Sequence, residues 1–312
     1  MSKRDKMAAS NARSRLKDSQ GFIVVAVLWM LAALATLATV YAIYVKETAA
    51  AFVGHNDRLA AQALAMAGVE LAVYQLTVTP QTRPTRGRLQ FRMGSAEVAV
   101  GYRSENARID LNLAPKELLS GLLIALGAKR EDAAGFADRI VAWRTPSAPG
   151  TTDAEASLYR AAGKTYGPRL APFQHINELA LVLDLPTALV DRALPHLTVF
   201  SGQAEINLLE AAPEVLAALP GVTPERLHVL LGQREVAPQD VLRALGPAAR
   251  YATAQASKAN RVTVEVRFDA NRRVRSEIVV LLLDGDSEPF RVLSWRDDID
   301  SPSDERQNAS AR

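Results

Sequence analysis

The longest feature of the hydropathy pattern is an apolar run from Phe22 to Val45 (FIVVAVLWMLAALATLATVYAIYV) that contains no charged residue. At 1.5 Å per residue, roughly 24 helical residues reach about 36 Å, enough to cross a bilayer core of about 30 Å with some tilt. Tyr41 and Tyr44 stand at one end, where aromatic rings favour an interface, and Lys46 and Glu47 close the run. A buried globular helix accounts for it poorly, because no side of the stretch is polar. A cleavable secretory signal is the stronger rival, since Ala33-Leu34-Ala35 resembles a small-residue cleavage site. The apolar run continues well past that point, which favours a retained span.

Beyond the span, Ala60, Ala63, Leu64, Ala67, Leu71 and Tyr74 recur at i, i+3, i+4, i+7 and predict that the helix continues with these residues on its apolar face. Pro80 cannot continue the helical ladder and ends it. Weak alternation over Gln90–Met93 and Glu97–Arg103 predicts a hairpin about Gly94-Ser95. Stronger strands follow near the C-terminus, Val262–Phe268 and Arg275–Leu283, joined by Asp269-Ala-Asn271, with a further short strand at Phe290–Trp295. Between the two strand groups the spacing turns helical over Leu118–Leu126, Ala133–Trp143, Ile176–Leu183, Ala188–Leu194, Pro213–Leu219, Pro224–Leu231 and Asp240–Leu245. Strands, a helical block and more strands predict one sheet interrupted by an insertion. The expected division is a leader over 1–21, an N-terminal helix over 22–78, a sheet from 79–104 and 255–298, a helical insertion over 105–250, and a disordered polar tail over 299–312.

The helical block contains a loose echo. Ile109-Asp-Leu-Asn112-Leu-Ala-Pro-Lys-Glu117 is matched by Ile206-Asn207-Leu-Leu-Glu-Ala-Ala-Pro213-Glu214, each with an Asn before a helix start, at spacings that differ by two residues. An Asn there can satisfy free N–H groups of a first helical turn. The second copy runs into Leu219-Pro-Gly221-Val-Thr223 and resembles a helix-hairpin-helix, a module that often holds DNA phosphates on backbone amides. Such hairpins favour Gly-hydrophobic-Gly; here Thr223 takes the last place, and Glu210, Glu214 and Glu225 make the flanks acidic. A packing or protein-contact hairpin fits those flanks better.

Composition narrows the chemistry. The 312 residues carry 37 basic and 34 acidic side chains, but residues 1–21 hold six of the basic ones (Lys3, Arg4, Lys6, Arg13, Arg15, Lys17) and only two acids (Asp5, Asp18). Without them 31 basic and 32 acidic groups remain, so the rest of the chain has no global bias toward nucleic acid. The basic leader predicts, by the positive-inside rule, that residues 1–20 are cytoplasmic and everything after Lys46 faces outward. The absence of cysteine excludes a disulfide framework, a zinc ribbon and a thiol nucleophile. The histidines, His55, His175, His196 and His228, form no metal-ligand motif, and His175 reads as a surface or helix-start residue. No Gly-x-Ser-x-Gly, phosphate loop or dinucleotide fingerprint occurs, so no enzyme and no catalytic residue are expected. Asp284-Gly-Asp286-Ser-Glu288 and Thr151-Thr-Asp153-Ala-Glu155 offer oxygen ligands of the kind calcium takes, yet both read as solvated turns.

The junction Ser19-Gln-Gly21-Phe22-Ile-Val-Val-Ala26 resembles a type IV prepilin leader. That resemblance implies cleavage by a prepilin peptidase between Gly21 and Phe22, methylation of the new Phe22 amine, and retention of the span as a filament-core helix, with Phe22 and Ala26 in the assembly contact. Most pilins carry Glu as the fifth mature residue, where this chain has Ala26. A carboxylate in hydrocarbon needs a partner to neutralise it, and a filament-tip subunit lacks a neighbour on one side, so an apolar residue suits a tip. The stretch Arg58–Leu76, Glu105–Ala114 (ENARIDLNLA), Ala142-Trp143-Arg144, Pro172–Leu179 (PFQHINEL), Leu197–Ser201, the Ala-Pro-Glu-Val-Leu echo and Val292–Arg296 resemble, in this order, the K-type minor pseudopilins of type II secretion.

The resemblance implies an α+β fold: a long N-terminal transmembrane helix packed on a small antiparallel pilin-like sheet, with a large, mostly helical (helix-hairpin-helix or SAM-like) insertion. It implies a subunit that caps the periplasmic pseudopilus tip and primes its assembly for export of folded proteins across the outer membrane. Its partners would be other minor pseudopilins, the major pseudopilin, prepilin peptidase and the inner membrane, which it crosses once, with no nucleic acid. The family binds calcium, but its acidic D-W-x-D run is here Ala142-Trp143-Arg144-Thr145, which lacks both acids, so no cofactor is assigned. The reading from another class is a membrane-anchored, competence-like DNA-binding protein that uses its helical hairpins.

Overall fold

A computed structural model describes residues 3–78, 83–147, 154–269, 272–285 and 288–298, and within the first helix the side chains of 24–46 and from 58 onward. The fold is mixed α/β with an antiparallel sheet. Helix α1 spans Lys3–Thr77, and the chain falls into two compact units, Met1–Gln62 and Ala63–Arg312. Pro80, the expected end of the helix, and the tail from Ile299 lie outside the described residues.

In the second unit α1 packs on the sheet, through a face that shares only Leu64 of its buried residues with the expected one. Leu64, Ala65, Val69, Ala72, Val73 and Leu76 are buried, whereas Leu71 and Tyr74 are exposed. Both sets keep helical spacing, so periodicity alone could not choose between them. Size did: Ala65, Gly68 and Ala72 let the helix axis approach the strands. At Gly68 an added Cβ would lie 2.9 Å from Val100 Cγ2 and 3.3 Å from both methyls of Val264.

The predicted hairpin is present and longer than expected. Strands β1 (Arg86–Met93) and β2 (Ala96–Ser104) pair antiparallel around Gly94, whose φ of +60° suits a tight turn. Ala96, Val98, Val100 and Tyr102 alternate inward from β2, as a half-buried strand requires.

After Ser104 the chain enters the helical block. It runs through β3 (Ile109–Asp110), α2 (Lys116–Ala125), α3 (Arg130–Arg144), α4 (Ala154–Ala161) and α5 (Thr187–Ala193), then β4 (Leu197–Thr198) and β5 (Ile206–Asn207). It continues through α6 (Pro213–Ala217), α7 (Pro224–Gln233), α8 (Pro238–Ala244) and β6 (Ala252–Thr253). Helix α4 was not expected, and Ile176–Leu181 is a 3₁₀ turn where a longer helix was read. The block builds its own core around Leu118, Leu122, Leu179, Val190 and Leu216, with the aromatic group Trp143, Tyr159 and Phe173.

The echo proves regular at a different alignment. Strand β3 pairs parallel with β4, and β5 pairs parallel with β6. Leu111 N donates to Thr198 O, and Leu208 N to Thr253 O, both at 2.8 Å. Ala114 N donates to Asp110 O as Ala211 N does to Asn207 O. Asp110 and Asn207 are therefore equivalent at equal spacing, and the expected match of Asn112 with Asn207 is wrong. The Asx side chain acts in both: Asp110 Oδ1 accepts from Asn112 N and Asn207 Oδ1 from Leu209 N. Asn112 instead clamps Phe173 through both its side-chain ends.

The chain then returns to the sheet as β7 (Ala259–Asp269), β8 (Arg272–Leu282) and β9 (Phe290–Asp298), in the order β1-β2-β7-β8-β9. Ser104, at the end of β2, pairs with Asn260, at the start of β7. Val262, Val264, Val266, Ile278 and Val280 complete the core beneath α1.

Candidate assembly site

The first candidate surface is the span. Val24–Lys46 is a helical stretch of 23 residues with a mean hydropathy of 2.2, and none of it is buried in the chain. Its largest side chains lie open on every side, Trp29 at 75% exposure and Leu37 at 66%. Such a surface calls for a hydrocarbon or protein neighbour. Its hydroxyls are turned inward: Thr36 Oγ1 donates to Ala32 O and Thr39 Oγ1 to Ala35 O, each at 2.8 Å. Ala26 lies in this stretch and is exposed. The side chains of Gly21 and Phe22 lie outside the described residues. In the second unit the helix face expected to be buried, Ala63, Leu71 and Tyr74, is instead an open seam, with Leu71 43% and Tyr74 67% exposed.

The second is the junction where the sheet meets the helical block. Its centre is the Glu105–Ala107 turn, whose Glu105 and Asn106 are both buried, at 1% and 0% exposure. Glu105 accepts from Thr198 Oγ1 at 2.5 Å and forms an ion pair with Arg261 at 2.5 Å. Arg261 also reaches Glu277 at 2.5 Å, and Glu277 binds Arg296 at 2.7 Å. Asn106 Nδ2 donates to Gln203 Oε1 and to Gln255 O, and Asn207 Nδ2 donates to the same Gln255 carbonyl. One buried turn thus ties the end of β2 to both copies of the echo. A buried carboxylate persists only when so paired. Glu277 is opposed by burial, yet Arg261 and Arg296 hold its carboxyl below the usual range. This junction was missed as a working element, although the segment carrying it stood out in the sequence.

The remaining expectations divide. His175 is a helix-start residue: its Nδ1 accepts from Asn177 N at 3.1 Å, and Glu178 Oε1 accepts from His175 N at 3.2 Å. Arg144, in the place of the family's acidic run, donates to the carbonyls of Leu111 and Ala114, a structural clamp. Buried Tyr159 accepts from Leu183 N at 2.8 Å, and burial pushes its phenol up to about 12. Of the two acidic turns, Asp153 and Asp286 lie outside the described residues, while Asp284 pairs with Lys258 and Glu155 with Arg139. Among the described residues no cluster of three metal-ligating side chains occurs. In the α6–α7 hairpin Thr223 Oγ1 accepts from Arg226 N, so the last position of the loop serves as a helix cap.

Residues 102–202 match the model of a family described as type II secretion system (T2SS), protein K. No curated protein matches the chain at a significant level. Among solved structures the fold resembles a chain of the crystal structure of the GspK-GspI-GspJ complex from the enterotoxigenic Escherichia coli type 2 secretion system. The TM-score is 0.57 at 16% identity, over 79% of this chain and 99% of that one. The family match covers about a third of the chain, within the helical block and the end of β2. The likeness to the solved chain is one of fold, and it extends over the sheet as well as the block.

Proposed function

We propose that the chain caps the tip of a periplasmic pseudopilus, alongside other minor pseudopilins, and primes its assembly for export of folded proteins. The observation that carries this reading is the bare apolar span. Twenty-three helical residues are left unburied, and the position held in most pilins by a carboxylate is Ala26. In this account prepilin peptidase cuts between Gly21 and Phe22, Phe22 is methylated, and the span leaves the inner membrane to join a filament core that includes the major pseudopilin. The exposed seam of Ala63, Leu71 and Tyr74 extends that contact beyond the membrane. A matching complex that contains GspI and GspJ supports minor pseudopilins as the neighbours.

The mechanism is assembly without bond chemistry. Apolar side chains exchange lipid neighbours for protein ones, and the helical block, read as an insertion between β2 and β7, obstructs stacking of a further subunit above it. N-terminal mass spectrometry of the membrane-bound protein is the test. A chain beginning at methyl-Phe22 is the expected result; loss of residues 22–45, or retention of the basic leader, would overturn the reading.

A further inference from the structure

We propose that the cleft between the outer face of the sheet and the helical block is a docking groove for an extended, acidic segment of a partner protein. The cleft has a volume of about 770 Å³ and opens over β1, β2, β7 and β8. The registers place Arg88, Gly101, Thr263 and Glu277 in one transverse row on the face turned away from α1. A Cβ at Gly101 would meet nothing within 4 Å, so the middle of the row is an open floor on which a backbone can lie.

The walls carry more positive than negative charge, and the carboxylates present are already engaged. Glu210 is shared by Arg86 and Arg103 at 3.5 and 3.3 Å. Glu105 and Glu277 are held by Arg261. Three lining arginines, Arg88, Arg108 and Arg275, have no carboxylate partner among the described residues. Arg108 is half-buried, and burial, then the charge of Arg261, pulls its guanidinium below the ordinary arginine value against the nearby charges of Glu105 and Glu277. A half-buried cation beside another, with no ion pair of its own and only carboxylates already engaged elsewhere nearby, is costly to the fold, and sites that tolerate such a cost are often binding sites.

The spacing selects the ligand. With strands about 4.8 Å apart, Arg88 on β1 and Arg275 on β8 stand roughly 15 Å from each other. Unless the two side chains are drawn together across the cleft, one phosphate or one carboxylate cannot meet both. Two carboxylates about four residues apart on an extended chain can, at roughly 3.4 Å per residue. Charge complementarity of this kind sets register and on-rate in protein contacts. The inference does not rest on the tip reading, because its test needs neither a filament nor a processed N-terminus.

The test uses the full chain in detergent and a fluorescent peptide of glycine with glutamate at every fourth position. Saturable binding that weakens with salt is expected, with the glutamine counterpart at least about tenfold weaker. R88Q/R275Q, at two exposed positions, should weaken binding about tenfold with an unchanged melting temperature. R108Q should weaken binding while leaving the melting temperature of the free protein unchanged or raised. Equal binding of the glutamate and glutamine peptides, or full affinity in R88Q/R275Q, would overturn the proposal. So would a lowered melting temperature in R108Q without weaker binding. Displacement of the peptide by millimolar inorganic phosphate, but not by chloride of equal ionic strength, would show a small-anion site instead and equally overturn it.

Discussion

The core under the sheet and the core of the helical block reach similar burial by different means. Under the sheet, one helix face lies on β-branched residues (Val98, Val100, Val262, Val264, Ile278) that alternate along three strands. In the block, leucines on short helices surround three aromatic rings, and polar side chains hold the loops. Each core has a helix glycine at a close contact, and the two glycines differ in what they touch. At Gly68 an added Cβ meets side-chain methyls, the nearest at 2.9 Å; at Gly121 it meets the carbonyl oxygen of Ala218 at 2.0 Å. A methyl can rotate or shift, whereas a backbone carbonyl carries its whole helix with it. The contact of α1 with the sheet at Gly68 therefore has some slack, and that of α2 with α6 at Gly121 has none.

The sharpest break of this comparison is Gly121→Ala. Overpacking commonly costs about 1–3 kcal/mol, and with backbone as the obstacle roughly 3 kcal/mol or more is expected, read from urea unfolding of the full chain in detergent. Tyr159→Phe comes next. It strips the acceptor from Leu183 N and should lower stability by about 1–2 kcal/mol, the cost of a buried donor left without a partner. Gly68→Ala should cost only about 1 kcal/mol, since the gain in helix propensity offsets part of the crowding. A larger loss at Gly68 than at Gly121 would reverse the comparison.

The smallest effect lies at the seam between the cores. The carboxyl of Glu277 has a folded-state pKa lowered from 4.5, so it contributes stability above about that pH and loses it as pH falls through the folded value. Glu277→Gln should melt below the parent at neutral pH, and the gap should close as the pH is taken below about 4. A gap independent of pH would mean that the side chain acts by shape rather than charge.

Much of the sheet was legible because alternation is a strict signal. VTVEVRF and RSEIVVLLL have few readings other than half-buried strands, and the Gly94-Ser95 turn was equally clear. The face of α1 was not legible, since alanine and glycine at 65, 68 and 72 add little hydrophobicity and their value lies in closeness to β2 and β7. Helix α4 escaped because AEASLYRA buries a single large residue, Tyr159. The echo was misaligned because Asn112 and Asn207 match by name, while Asp110 and Asn207 match by the bonds they make. The junction at Glu105 was hidden for a related reason: its partners, Thr198 and Arg261, are brought there by the fold from far along the chain.

The inward-turned hydroxyls of Thr36 and Thr39 bear on how the anchor could travel. With both satisfied by carbonyls one turn back, these two hydroxyls ask nothing of whatever surrounds the stretch. On the proposed function, moving the span from lipid tails to the flank of another helix leaves both of these bonds intact. On that account these two positions neither hinder extraction nor hold the span in place once it has moved.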